Sequence, residues 1–200
     1  MQHTDRGLYC NSHLQRFETL QFVNLLKVVM DPLVQLARAA IESFVMTGRK
    51  VAPESLTSGI PVIRAGVFVS LHKASGELRG CIGTITPTLS SLAEEIIQNA
   101  RWACSRDHRF RPVRPDELDA LDVKVDVLSE PEPIDSPDQL DPHKYGVIVS
   151  TPDGRRGLLL PSLEGVDSVE DQIEICRKKG GIGRNEPVTL QRFTVERHVQ

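Results

Sequence analysis

Residues 78–84, Leu78-Arg79-Gly80-Cys81-Ile82-Gly83-Thr84, set two glycines inside a run that otherwise reads as a β-strand. Glycine loses more backbone freedom on ordering than any other residue and brings no side chain to pack. Its use here implies that something approaches the strand backbone closely, either another chain segment or a ligand. Upstream, Gly66 to His72 alternates as a strand, and Ala74 to Glu77 supplies a glycine-containing turn. An antiparallel hairpin, with Leu78 to Ile85 as its return limb, is the simplest topology. Strand alternation then puts Arg79 and Cys81 on one face and Gly80 on the other.

On both sides of this hairpin the periodicity becomes helical. Asp31 offers an N-cap side chain and Pro32 suits the first helical position. Val34, Ala37, Ile41, Phe44 and Val45 line one face before Gly48 closes the helix. Residues 50–64 hold two prolines and a glycine and read as a surface connection. After the hairpin, Ser91 and Glu94 form a capping-box pattern, and Leu92, Ile96, Ala100 and Ala103 give an apolar stripe ending near Arg106. Val123, Val125 and Val127 alternate with charged residues, which predicts a half-buried strand whose other face is wet. Residues 129–142 carry four prolines and five acidic residues, too polar for a core element and expected as a boundary.

A second hairpin is predicted from Tyr145 to Leu160, folded at Thr151-Pro152-Asp153-Gly154. Asp167 with Glu170 opens a helix through Val169, Ile173 and Cys176, which Gly180 and Gly181 stop. One last strand is expected over about Val188 to Glu196. Hairpins separated by helices, without regular βαβ alternation, predict an α+β class with antiparallel pairing. Before Asp31, Leu14, Phe17, Leu25 and Val28 recur in a loose helical rhythm. Residues 1–30 are expected to be an extension outside the domain, and the clean helix start at Asp31-Pro32 leads to the expectation that Met30 is the initiator, with residues 1–29 a loosely attached extension or an over-called start.

Composition narrows the function. The chain has 24 basic against 27 acidic side chains, a net charge of −3, which gives no broad attraction for phosphate backbones or anionic lipid. Nucleic acid is therefore not expected as a partner. No run approaches the roughly 18 apolar residues of a membrane span, and the start lacks a cleavable apolar leader, so the cytoplasm is the expected location. Cys10, Cys81, Cys104 and Cys176 are too scattered for a metal knuckle and too few for a disulfide scaffold. They read as reduced thiols, with Cys104 and Cys176 packing beside helical stripes. There is no Walker loop, no GxGxxG after a strand, no HExxH and no GxSxG. No metal is expected, and the sequence names no cofactor.

Two stretches carry chemistry-bearing side chains. Cys81 with Arg79 on its own face suggests a thiol pulled towards thiolate, the form that attacks electrophiles, with His72 across the hairpin and His108 on a later loop as candidate bases. The alternative is a small buried hydrophobe in a glycine-kinked strand. Ser105 to Phe110 packs opposite charges beside an imidazole at a helix end, either a ligand site or a solvated terminus with local ion pairs. Arg101, Arg106, Arg109, Arg111 and Arg114 would form at most a small basic face.

At the Arg79-Gly80-Cys81-Ile82-Gly83 string the chain resembles the AMMECR domain family, and other landmarks follow in order. These are Asp31 to Arg38, Asp107-His108-Arg109-Phe110-Arg111-Pro112, Lys144-Tyr145-Gly146-Val147, Gly157 to Pro161 and Cys176 to Ile182. The resemblance covers about residues 31–197. It implies an α+β fold of two interleaved subdomains with mainly antiparallel sheets flanked by helices, and a functional cleft lined by the glycine-rich string. It also implies partners, since similar prokaryotic proteins are described as protein A of a system with a Memo-like protein and a radical SAM protein. Carried over by position, Cys81 and Arg79 are the candidate catalytic pair. Gly80, Ile82, Gly83, Asp107, Arg109 and Phe110 are the candidate ligand-binding residues, followed by Lys144 and Gly146.

Two functional readings remain open at this level. In one, Cys81 is a nucleophile, redox thiol or carrier. In the other, the domain is a non-enzymatic module that docks a protein or small ligand, and Cys81 is structural.

Overall fold

The first helix begins where the capping chemistry places it. In the computed structural model, which describes residues 30–52 and 58–199, α1 runs over Pro32–Thr47. The Asp31 carboxylate accepts from the Leu33 and Val34 amides, and Gly48 closes the helix in the left-handed conformation. The rhythm from Leu14 to Val28 and the expected extension lie outside the described residues. From Asp31 onwards the chain forms one compact unit.

The predicted hairpin follows as β1 (Gly66–Lys73) and β2 (Leu78–Thr84), then α2 (Leu92–Ser105), a 3-10 turn at Pro115–Ala120 and β3 (Leu121–Leu128). Ser91 caps α2 by accepting from the Glu94 amide. Glu94 does not reciprocate on Ser91, however, because its carboxylate reaches one residue further to the amide and hydroxyl of Ser90. Val67, Val69, Leu71, Val123 and Val125 are fully buried or nearly so, as are Leu36, Ala37, Ile41, Ile96, Ile97 and Ala100 on α1 and α2. One face of this sheet is thus sealed by two helices.

Its other face departs from the prediction. Asp126, placed by alternation in water, is only 5% exposed and is held by Arg197, whose Nε and Nη2 donate to its two oxygens at 2.7 and 3.2 Å. A second sheet covers this side. The 129–142 segment is also more than a boundary. Glu132–Ile134 forms β4, and Leu140 is buried in the second core with Val147, Val149, Leu159 and Cys176. Pro133 is tolerated because β4 is an edge strand, where a missing amide need not cost a ladder bond.

The second hairpin is β5 (Gly146–Ser150) and β6 (Arg156–Leu159), followed by α3 (Val169–Gly180), β7 (Thr189–Phe193) and β8 (Val195–His198). Ser168, one residue after the predicted Asp167, caps α3 by accepting from the Asp171 amide. The single strand expected over 188–196 is two strands. β7 pairs with β4 and β5, whereas β8 pairs with β3, giving antiparallel sheets ordered β2-β1-β3-β8 and β4-β7-β5-β6.

Two crossings therefore join the sheets side by side, one from β3 to β4 and one from β7 to β8. They are stitched where the Ser129 amide donates to the Thr194 carbonyl at 3.0 Å and the Thr194 amide donates to the Ser129 hydroxyl at 2.9 Å. Leu128, Ile148, Leu158 and Phe193 are buried together between the layers, with Phe68, Ile85, Leu160 and Val195 packed around them. The architecture is α+β, two antiparallel sheets flanked by helices.

Candidate functional site

The space left by the two glycines of β2 is filled by the protein itself. A Cβ at Gly80 would stand 2.3 Å from the Ala103 carbonyl oxygen, so the glycine lets the α2 backbone lie directly on the strand. A Cβ at Gly83 would meet the Phe68 ring at 2.2 Å, across the Phe68–Gly83 pair. Of the two occupants the sequence left open, chain segment or ligand, both positions hold chain.

Arg79 is not beside the thiol. The β1–β2 register runs Ser70 to Cys81 and Leu71 to Gly80, then skips so that His72 faces Leu78. Arg79 is the extra residue of a β-bulge, a device that re-aims a side chain. Its Nε and Nη2 donate to Glu117 at 2.8 and 3.0 Å, and its guanidinium also reaches the carbonyls of Arg111 and Pro112. It fastens the 107–117 segment to the sheet. The alternation that placed Arg79 and Cys81 together fails because an inserted residue shifts side-chain phase.

Through that fastening, Asp107 and Arg109 reach Cys81. The Cys81 amide donates to Asp107 Oδ2 at 2.8 Å, and Arg109 Nη2 approaches the Cys81 carbonyl at 3.4 Å. Arg109 also grips Asp107, with Nε to Oδ1 at 2.9 Å and Nη2 to Oδ2 at 2.7 Å. β2 is an edge strand, and this pair of side chains meets the backbone groups that a neighbouring strand would otherwise engage. Hydrogen bonds from Arg109 set Asp107 down to a pKa of about 2 despite its burial. The expected solvated helix end is thus only partly so, since Asp107 is 4% exposed.

The thiol itself faces a cavity of about 600 Å³. The β2-β1-β3-β8 sheet contributes Phe68, Ser70 and His72 from β1, Leu78, Cys81 and Ile82 from β2, Lys124 and Asp126 from β3, and Arg197 from β8. The opposite wall is Leu158 to Leu160 and Leu163, with Lys179 of α3, and the rim carries Asp107, His108 and Arg109. Burial, only partly offset by Arg109, pushes the Cys81 thiol above its ordinary value. The thiolate expected from a neighbouring arginine is not what this environment favours.

Burial and then the Lys124 ammonium hold His72 below its ordinary value. His72 Nδ1 is buried without a hydrogen-bond partner among the described residues. His72 lies opposite Leu78 rather than Cys81, although both line the cavity. Cys104 and Cys176 are buried, with thiols pushed up to about 11 and about 12, in keeping with packing roles. Gly80 and Arg79 support the cavity from behind, whereas Gly83 lies on the Cys81 face and seats the Phe68 ring that lines it. Phe110 lies under the Arg109 guanidinium at 5.4 Å. Lys144 sits over Tyr145, and Gly146 accommodates the Phe193 ring, away from the cleft.

Sequence reasoning missed Lys124, Asp126, Lys179 and Arg197. Each reads locally as an exposed charge; the covering layer buries Asp126 and half-buries Lys124, whereas Lys179 and Arg197 stay exposed while lining the cavity. The arginines proposed as a small basic face are partly spoken for, since Arg114 pairs with Asp116 and Arg109 with Asp107. Among the described residues no group of three or more His, Cys, Asp or Glu side chains is arranged to hold a metal. No helix among them is long and apolar enough to cross a membrane.

Two antiparallel sheets joined by paired crossings, with a cleft between them and the Arg-Gly-Cys-Ile-Gly string on one wall, define an α+β cleft protein. The AMMECR1 family model matches residues 34–198, and the chain belongs to that family. A Thermotoga maritima protein is 52% identical over 169 residues, covering 84% of this chain and 97% of its own length. A longer Clostridium acetobutylicum protein is 48% identical over 170 residues, but the match spans only 36% of it. The crystal structure of an uncharacterized Pyrococcus horikoshii protein superposes with a TM-score of 0.74 at 33% identity, covering 82% of this chain and 88% of that one.

Proposed function

We propose that this protein is a ligand-holding component whose inter-sheet cleft receives a small molecule, and that Cys81 serves as a wall of that cleft. The carrying observation is the convergence of Cys81, His72 and the Asp107–Arg109 pair, from three separate stretches, on one cavity whose burial pushes the thiol above its ordinary value. Ligand sites are typically cavities of roughly 300–1,000 Å³ with apolar walls and a few polar groups, which this cleft matches. In line with the family resemblance, the protein works in the cytoplasm beside a Memo-like protein and a radical SAM protein, presenting a bound small molecule to them.

A second reading, thiol chemistry at Cys81, is favoured by the His72 imidazole on the same cavity, whose burial disfavours its charged form. A base near a thiol can generate the thiolate on demand. The two readings separate in the pH dependence of Cys81 alkylation, measured with Cys10, Cys104 and Cys176 replaced by serine. A midpoint above the ~8.5 of a free thiol is expected for a ligand wall. Rapid labelling with a midpoint well below that value would overturn the ligand-holding reading in favour of an activated nucleophile.

A further inference from the structure

Taking the cleft as a binding site, as proposed above, we infer that its ligand is a small organic anion, with the acidic group between Lys124 and Lys179 and an apolar body against Leu158, Leu160 and Leu163. The whole chain carries a net charge of −3. The cavity reverses that sign. Its charged side chains are Arg109, Lys124, Lys179 and Arg197 against Asp107 and Asp126, four cations less two anions, or +2 with the imidazoles uncounted.

Both carboxylates are already engaged. Asp107 gives its two oxygens to Arg109 and the Cys81 amide, and Asp126 gives its two to Arg197. With exposures of 4% and 5%, neither has an oxygen to offer a cationic or polyhydroxyl ligand. The lysines differ. Lys179 has no ion-pair partner among the described residues, and Lys124 stands 3.7 Å from Asp122, the longest of the ion pairs. They come from opposite walls, Lys124 half-buried on β3 and Lys179 exposed on α3, so an anion between them meets an ammonium from each side.

Register supplies the neutral donor. Cys81, Ser70 and Lys124 are successive cross-strand partners on β2, β1 and β3, which lines up a thiol, a hydroxyl and an ammonium along the cleft floor. The facing leucines provide no polar group, so apart from Lys179 their wall suits an apolar body, while the sheet floor with Lys124 and the Lys179 ammonium opposite it select charge. A low-dielectric cleft lined by excess positive charge concentrates small anions.

The test uses two fluorescent probes of similar shape, anilinonaphthalene sulfonate, which is anionic, and phenylnaphthylamine, which is neutral. They are titrated into the full chain and into Lys124→Gln/Lys179→Gln, with Lys178→Gln as a control on the same helix. Leu163→Trp and, separately, Ser70→Phe fill the cleft, and circular dichroism verifies that each variant folds. The sulfonate is expected to bind more tightly than the amine, to weaken with salt, and to lose about tenfold in affinity in the double lysine variant while the amine is unaffected. Both probes should weaken in the cleft-filling variants. Equal binding of the two probes, insensitive to the lysines but lost on filling, would overturn the anion assignment and leave the cleft as a binding site. Binding that ignores the filling variants, or no binding of either probe, would overturn the cleft reading and the anion assignment together.

Discussion

Asp107 shows how one buried carboxylate can organise an edge. It ties the Cys81 amide to Arg109, and its folded pKa of about 2 lies below the ~3.9 of an unfolded aspartate. A group whose pKa is depressed on folding contributes stability that is full above the unfolded value and is lost as pH falls through the folded one. Asp107→Asn should therefore lower stability by about 1–2 kcal/mol at pH 6, a discounted figure because Arg109 is half exposed and can rehydrate. The gap in urea midpoint between the two proteins should close as pH falls from about 4 towards 2. At this scale Cys81, Asp107 and Arg109 were legible as residue types worth watching. Their geometry was not, because the bulge at Arg79 reverses the side-chain phase on which the pairing of Arg79 with Cys81 depended.

At the scale of elements, local chemistry was read well wherever it is self-contained. The Asp31-Pro32 start and Gly48 stop of α1, the Ser91 cap of α2 and the turn at Thr151 to Gly154 all depend on neighbours in sequence, so the sequence carries them. What it concealed was long-range. Asp31 caps α1 with one oxygen and meets His198 Nδ1 on β8 with the other at 2.8 Å, a link across most of the domain. Asp31→Ala should cost about 1–2 kcal/mol from the lost cap alone. His198→Ala should cost less, and thermal melts of the two single variants and the double variant should show sub-additive losses, whereas additive losses would mean that the two side chains are not coupled. The Val188 to Glu196 stretch read as one strand because alternation says nothing of which sheet a strand joins.

Across the whole molecule, the two layers share a core and a pair of crossings, so they should not unfold separately. Phe193 is 1% exposed, sits between the sheets and covers Gly146. Phe193→Ala should cost about 3–5 kcal/mol, and hydrogen exchange should report reduced protection in α2 and α3 alike. Loss confined to α3 would mean that the layers are independent. The antiparallel α+β class was predictable from hairpins and intervening helices. The cleft was expected only through the family resemblance, since local patterning does not show it: it forms where residues from β1, β2, β3, β6, β8 and α3 face one another.

The return of β8 to the first sheet bears on how the protein is made. On a ribosome, β1, β2 and β3 emerge early, yet the outer edge of β3 stays open until residues 195–198 have been synthesised. The first layer is begun first and closed last, after the whole second layer has been translated. For that interval the nascent chain exposes an unpaired strand edge, the kind of surface that chaperones shield.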